Sequence, residues 1–300
     1  MTQPMNGLAR LPSTLAVAAV FVFGGALPAS AAARHHPHVR AHLARHQKPP
    51  PAPPPAGSGY DISYPQCNAA YPSGQAFGVV GVNGGLANNA NPCLSSELAW
   101  AAASPGLSSP SQPPASLYEN TADPGNGVAD WPNPAEGTAG GTTPYGSCDG
   151  SWSPACAYAY GQQRATYTYG VAAGAGSTVS PATAPWWLDV ETANSWAKAA
   201  NSPNWAALNI ATLRGFVAGL QQAGAKGTVG FYSTAYQWSA ITGLSATTSS
   251  SDFPTSEPDW VAGAGSYAQA QSDCGASFTG GKVVLGQFPQ SGFDGNYACP

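Results

Sequence analysis

The sequence predicts an α/β fold: a single (β/α)8-type barrel, preceded by a signal peptide and a disordered, basic and Pro-rich linker. Three observations predict it. Strand-like and helix-like segments alternate along residues 60–300. The strand-like segments number eight, the count such a barrel requires. That part of the chain is long enough for one large core, and ~250 residues is usual for this architecture. The expected divisions are a signal peptide over 1–33, a linker over 34–59 and the barrel over 60–300.

The N-terminus is read first. Arg10 precedes an apolar run from Leu15 to Leu27, followed by Pro28-Ala29-Ser30-Ala31. A charged start, a short apolar core and small residues at a cleavage site describe a secretory signal, cut after Ala31 or Ala33. A membrane span needs ~20 apolar residues, more than this core offers. The expectation is export, with no membrane association after cleavage.

Residues 34–59 are basic, His-rich and then Pro-rich, with no apolar period. Such a segment stays solvated and partly polyproline. Its cluster of His35, His36, His38, His42 and His46 could bind a metal. The plainer reading is a basic spacer attracted to an anionic surface, and it is preferred.

All five histidines of the chain lie in this linker. Residues 60–300 therefore exclude a Ser-His-Asp triad, a Cys-His pair and a His-ligated metal. They also hold all 14 acids of the chain against five bases (Arg164, Lys198, Arg214, Lys226 and Lys282), a formal charge of −9. Such a surface argues against nucleic acid. Nine Trp and thirteen Tyr offer flat amphipathic faces suited to neutral, hydroxyl-rich ligands. Six cysteines in an exported chain suggest three disulfides. Of the possible pairings the near-neighbour set is favoured: Cys67–Cys93, Cys148–Cys156 and Cys274–Cys299.

The strands are expected at 60–63, 77–82, 116–119, 186–191, 228–233, 259–262, 282–288 and 293–296. Helix starts fall between them where a capping side chain precedes Pro, at Asn91-Pro92, Ser153-Pro154 and Ser202-Pro203. After Ser202, the residues Trp205, Leu208, Thr212, Leu213, Phe216, Val217 and Leu220 form one stripe at helical spacing, and Gly224 ends it. Further helices are expected over 158–173, stopped by Gly174, and over 236–242. The Gly-, Asn-, Pro- and Trp-rich stretch 121–152 breaks the rhythm. It reads either as a functional loop insertion or as a low-complexity spacer.

The fourth strand reads Trp186-Trp187-Leu188-Asp189-Val190-Glu191. Period two puts Trp187, Asp189 and Glu191 on one face and Trp186, Leu188 and Val190 on the other. In a barrel the apolar set packs on the helices and the acids face inward. Buried carboxylates with no base nearby are costly unless a site uses them. Asp61, sharing a face with Ser63, and Asp294, sharing one with Asn296, lie on the first and last strands. Those strands are neighbours in a closed barrel, so four carboxylates could converge at one mouth. Paired carboxylates of unequal proton affinity are the equipment of a glycosidase.

With these residues the chain resembles the family 25 glycoside hydrolases, the muramidase-type lysozymes. The motifs are GYDIS at 59–63, WLDVE at 187–191, GFYST at 230–234, DWVAGA at 259–264, GQF at 286–288 and FDGN at 293–296, in the family's order. The resemblance implies cleavage of the β-1,4 bond between N-acetylmuramic acid and N-acetylglucosamine in peptidoglycan. It implies Glu191 as general acid, Asp189 as stabiliser of the intermediate, and Asp61 and Asp294 lining the site. It implies no cofactor and no metal.

Trp187, Tyr118, Glu119, Asn83, Tyr232 and Gln287 are the further substrate-binding candidates. The chain departs from the family where Gly81, Asn83 and Gly84 stand for Lys, Thr and Glu, where Tyr118-Glu119-Asn120 stands for YHF, and where Gly286 stands for Trp. The expected function is therefore a secreted or wall-associated, monomeric peptidoglycan hydrolase. Its alternatives are a barrel that binds the wall or another carbohydrate without turnover, and a glycosidase for another glycan.

Overall fold

Residues 54–139, 141–248 and 257–300 are described by the structure, a computed structural model. The expected signal peptide and nearly all of the linker lie outside the described residues. All eight expected strands form: β1 (Gly59–Ile62), β2 (Gly78–Gly81), β3 (Ala115–Asn120), β4 (Trp186–Asp189), β5 (Val229–Ser233), β6 (Asp259–Val261), β7 (Val283–Gln290) and β8 (Phe293–Ala298). They close into a barrel in chain order.

The expected all-parallel (β/α)8 architecture is overturned. Strands β1 to β7 run parallel to their neighbours, but β8 is antiparallel to both β7 and β1. The reason is local. Only Ser291 and Gly292 separate β7 from β8, and both have positive φ, 55° and 86°. Two such residues make a tight hairpin, whereas a parallel return needs a dozen or more residues. The Ser-Gly dipeptide is a turn signal that the strand count passed over.

Among the described residues, five α-helices cover the wall instead of eight: α1 (Leu94–Ala102), α2 (Pro154–Gly174), α3 (Trp205–Ala223), α4 (Ala235–Thr242) and α5 (Tyr267–Ser272). Between β1 and β2 the described chain makes only a 3-10 turn, Tyr64–Gln66. Ser153 accepts from the Cys156 N–H to start α2, and Gly224, at φ 116°, ends α3. Helix α5 lacked a periodic stripe, and its start is marked only by the Ser266 cap.

The strand alternation sorts the core into two layers. Trp186, Leu188 and Val190 pack outward with Leu213, Phe216 and Leu220 of α3. Trp187 packs inside the barrel with Phe77, Val79, Trp260 and Leu285. Burying each large apolar side chain contributes roughly 1.5–3 kcal/mol. The insertion after β3 carries a third cluster, in which Trp131 stacks on Tyr160 at 5.5 Å and packs with Tyr158 and Leu208. The cysteines pair as 67–93, 148–156 and 274–299. No helix among the described residues is long and apolar enough to cross a membrane.

Candidate functional site

A cleft of about 330 Å³ opens at the mouth formed by the C-terminal ends of β1 to β7, within the size range of small-ligand sites. It is lined by Asp61, Tyr118, Asp189, Glu191, Tyr232, Gln287 and Asp294 from the expected set. The reversed β8 is what brings Asp294 there. Asp294 is the second residue of its strand, and in a parallel β8 it would lie at the opposite end. As built, it stands directly across from Asp61 in the β1–β8 register.

Asp189 is the most enclosed of the four acids, 4 % exposed. Asn120, two residues beyond Tyr118 on the inward face of β3, donates Nδ2–H to its Oδ2 at 2.7 Å. Asp189 Oδ1 is buried and has no hydrogen-bond partner among the described residues. Burial first, and the neighbouring Glu191 charge second, hold the Asp189 carboxyl well above the usual range. A buried acid beside a second acid keeps its proton because two charges there would repel without solvent to screen them. Glu191 lies just past the end of β4, half-buried, on the cleft wall. Its backbone carbonyl accepts from Trp196 Nε1 at 2.8 Å and from the Asn194 N–H at 3.1 Å, which fixes the turn that carries it.

Asp61 is held differently. Asn296 Nδ2 donates to it at 2.6 Å, and Gln287 Nε2 reaches both of its oxygens at 3.2 and 3.3 Å. Tyr232 donates its hydroxyl to Gln287 Oε1 at 2.8 Å, and Trp260 Nε1 donates to Asn296 Oδ1 at 2.8 Å. Each amide is thereby oriented with its NH2 toward the carboxylate. Burial and the Asp294 charge nonetheless push Asp61 up to about 8. Asp294 sits at the exposed rim, and partial burial raises its carboxyl as well. Trp260 forms the floor, with Tyr232 at 4.5 Å, Trp187 at 5.9 Å and Tyr118 at 6.2 Å between ring centroids.

Three expected residues lie elsewhere. Trp187 is in the barrel interior beneath Trp260, outside the cleft lining. Asn83 stands behind β3, donating to Asn89 O and Thr168 Oγ1 and accepting from the Asn120 N–H at 2.9 Å. Glu119 faces outward and is fully buried between the wall and α2. The residues that sequence reasoning passed over are Asn120, Asn194, Trp260 and Asn296. Period two was enough to find Asn120 and Asn296. Asn194 sits in an irregular turn with no such signal. Among the described residues no three His, Cys, Asp or Glu side chains are placed to hold one metal ion.

The substitution at Gly81 has a structural partner. A Cβ there would come within 2.5 Å of Tyr118 Cζ. The Tyr118 ring occupies the space that a longer side chain on β2 would need.

No protein-family model and no curated protein sequence matches this chain. Among solved structures it is similar to the spore cortex lytic enzyme SleM of Clostridium perfringens, at 11 % identity over 81 % of this chain and 67 % of that one, with a TM-score of 0.43. It is also similar to the modular autolysin LytC of Streptococcus pneumoniae, solved with a synthetic peptidoglycan ligand, at 11 % identity and a TM-score of 0.41. That match covers 80 % of this chain, which spans less than half of the autolysin, 46 %. These are distant structural similarities to two cell-wall lytic proteins.

Proposed function

We propose that this protein is an exported glycan hydrolase acting on peptidoglycan, with Glu191 as the general acid and Asp189 as the stabiliser of positive charge at the sugar. The observation that carries the reading is the Asp189–Glu191 pair: two acids on one cleft wall, Glu191 half-buried and Asp189 enclosed. Burial keeps a proton on Asp189 in the free protein; in the proposed reaction that proton has passed to Glu191 and Asp189 is ionised when the sugar is bound. Glu191, the more accessible member, delivers the proton to the oxygen of the leaving sugar as the glycosidic C–O bond breaks. Asp189 faces the charge that develops at the sugar carbon. Water then completes the hydrolysis, and Glu191 recovers its proton from it.

The cleft also suits an N-acetylated sugar. Asn120, Asn194 and Gln287 line it together with the hydroxyl-bearing rings of Tyr118 and Tyr232. An acetamido group carries one N–H and one carbonyl, which amide and hydroxyl side chains can match. N-acetylmuramic acid–N-acetylglucosamine bonds in a wall polymer present that group at every sugar. Asp61 and Asp294 line the opposite side of the cleft and keep it hydrophilic.

Zymography on cell walls tests the assignment. Wild type clears the gel, and Glu191→Gln loses clearing by about 100-fold or more. Equal clearing by the two proteins removes Glu191 from the role. One observation favours a second reading, binding without turnover. The Tyr118 ring fills the space above Gly81, so the substrate-contacting wall differs from that of the family the chain resembles. Reducing ends released from purified walls separate the two: release establishes turnover, and retention on walls without release establishes the second reading.

A further inference from the structure

We infer that the cleft is the centre of a longer track for a polymeric N-acetylated glycan, with Tyr64 and Tyr236 as aromatic platforms on opposite sides of the mouth. The inference rests on the glycan reading above and extends it from the bond cleaved to the length of strand bound. Three tyrosines are prominent among the exposed large side chains: Tyr64, Tyr167 and Tyr236. Tyr167 is already covered by the Arg164 guanidinium at 5.5 Å. The other two stand at the mouth.

Tyr64 is 43 % exposed and lines the cleft directly after β1. Its ring lies flush on the bare backbone of Gly85, where an added Cβ would come within 2.8 Å of it. The turn beneath it is fixed at both ends. Gln66 Oε1 accepts from the Ser63 N–H at 2.9 Å, and Cys67, which follows, is bonded to Cys93. An aromatic face presented to water on a rigid turn loses little conformational entropy when a ligand stacks on it.

Tyr236 is 77 % exposed in the first turn of α4, immediately after β5. Its neighbour Gln237 accepts from the Thr192 N–H and hydroxyl at 2.7 and 2.9 Å. This ties the platform to the segment that carries Glu191. In a closed barrel of eight strands in chain order, β1 and β5 are four strands apart in either direction. The two tyrosines therefore flank the carboxylates from opposite walls. Sugar rings present flat C–H faces and hydroxyl edges, the chemistry an exposed tyrosine matches.

Binding is measured on the full chain carrying Glu191→Gln, so that no turnover intervenes. The probes are soluble β-1,4 N-acetylglucosamine oligomers from the disaccharide to the hexasaccharide. Affinity is expected to rise with length. Tyr64→Ala and Tyr236→Ala should each weaken binding of the longest oligomer by about two- to tenfold while sparing the disaccharide more, and Tyr→Phe at either site should restore it. Unchanged affinity in both Ala variants overturns the track, as does an equal loss for every length. Absence of binding by the Glu191→Gln parent at every length overturns it too. A length-dependent, tyrosine-dependent affinity in a protein whose wild type releases no reducing ends keeps the track and removes the hydrolysis reading. Hydrolysis of walls at full rate by both Ala variants keeps the hydrolysis reading and removes the track.

Discussion

Among the described residues, buried carboxylates stand at the barrel mouth, in the sealed layer behind β3, and at Asp259 of β6, which the Ser277 and Thr279 hydroxyls and the Phe278 N–H hold; the first two regions contrast with each other. At the mouth are Asp61 and Asp189. Behind β3, fully buried, are Glu97 of α1, Glu119 of β3 and Asp123, which follows β3. Both groups lie where charge is costly, and both are raised mainly by burial. Asp61 is pushed to about 8, Glu119 to about 8, Glu97 to about 7 and Asp123 to about 6. A raised carboxyl therefore does not mark the site. What differs is access. Asp189 lines the cleft beside Glu191, whereas the sealed acids line no cleft. Glu97 accepts from Asn91 Nδ2 at 2.6 Å, and Asp123 accepts from Trp152 Nε1 at 2.9 Å. Glu119 faces the Thr168 hydroxyl, and neither of its oxygens completes a hydrogen bond of good geometry. Glu119 persists without a base because, kept protonated, it is neutral and costs little more than a buried amide, while hydrogen bonds from Asn91 and Trp152 support Glu97 and Asp123.

The largest effect that separates the two regions is on turnover. Glu191→Gln is expected to lower reducing-end release by about 100- to 10,000-fold, while Glu119→Gln stays within about twofold of wild type. Comparable losses in both would erase the distinction between mouth and layer. Next in size is Asn120→Ala. It removes the donor to Asp189 Oδ2 and leaves a buried acid with less support. A loss of about 10- to 100-fold in kcat is expected, and steady-state kinetics on soluble wall fragments would read it. An Asn120→Ala enzyme with unaltered kcat would detach Asp189 from the chemistry.

Stability separates the regions more gently. Gly81→Ala forces a methyl group against Tyr118, and overpacking of this kind costs about 1–3 kcal/mol. Thermal unfolding should show it as a lowered Tm. An unshifted Tm would mean that the Tyr118 ring can move aside. A second stability change is from Glu119→Gln, and it depends on pH. The Glu119 carboxyl lies at about 8 in the folded protein against 4.5 in the unfolded chain. Its contribution to stability is full below about 4.5 and is lost as pH rises toward about 8, because only the unfolded chain releases the proton easily in that window. The Gln variant lacks this loss. Its Tm should match wild type near pH 4 and exceed it at pH 8.5 by ~2–4 °C per kcal/mol gained. A wild-type Tm that does not fall relative to the variant across that range would place Glu119 in contact with water.

Much of this arrangement was legible locally. Alternation in Trp186–Val190 correctly sorted an outward face onto α3 and an inward Trp187, because period two is a property of the extended chain itself. Ser153 and Gly224 marked helix ends through capping and left-handed backbone. The cysteine spacing led to the pairing that forms. The reasoning that an acid without a base implies a site was too broad. Glu119 meets that description, yet strand alternation turns it outward, opposite to Tyr118 and Asn120.

What the sequence determined by itself was the inventory and the local geometry: eight strands, the inward face of β4, and no histidine in residues 60–300. Those follow from interactions between residues close in the chain. Only the tertiary structure decided that β8 runs backward, that Asp294 reaches the mouth, and that Asn296 and Gln287 hold Asp61 across separations of 235 and 226 residues. Barrel closure sets those contacts. Pairing register between the first strand and the last depends on every strand between them, and no short stretch of sequence carries that information.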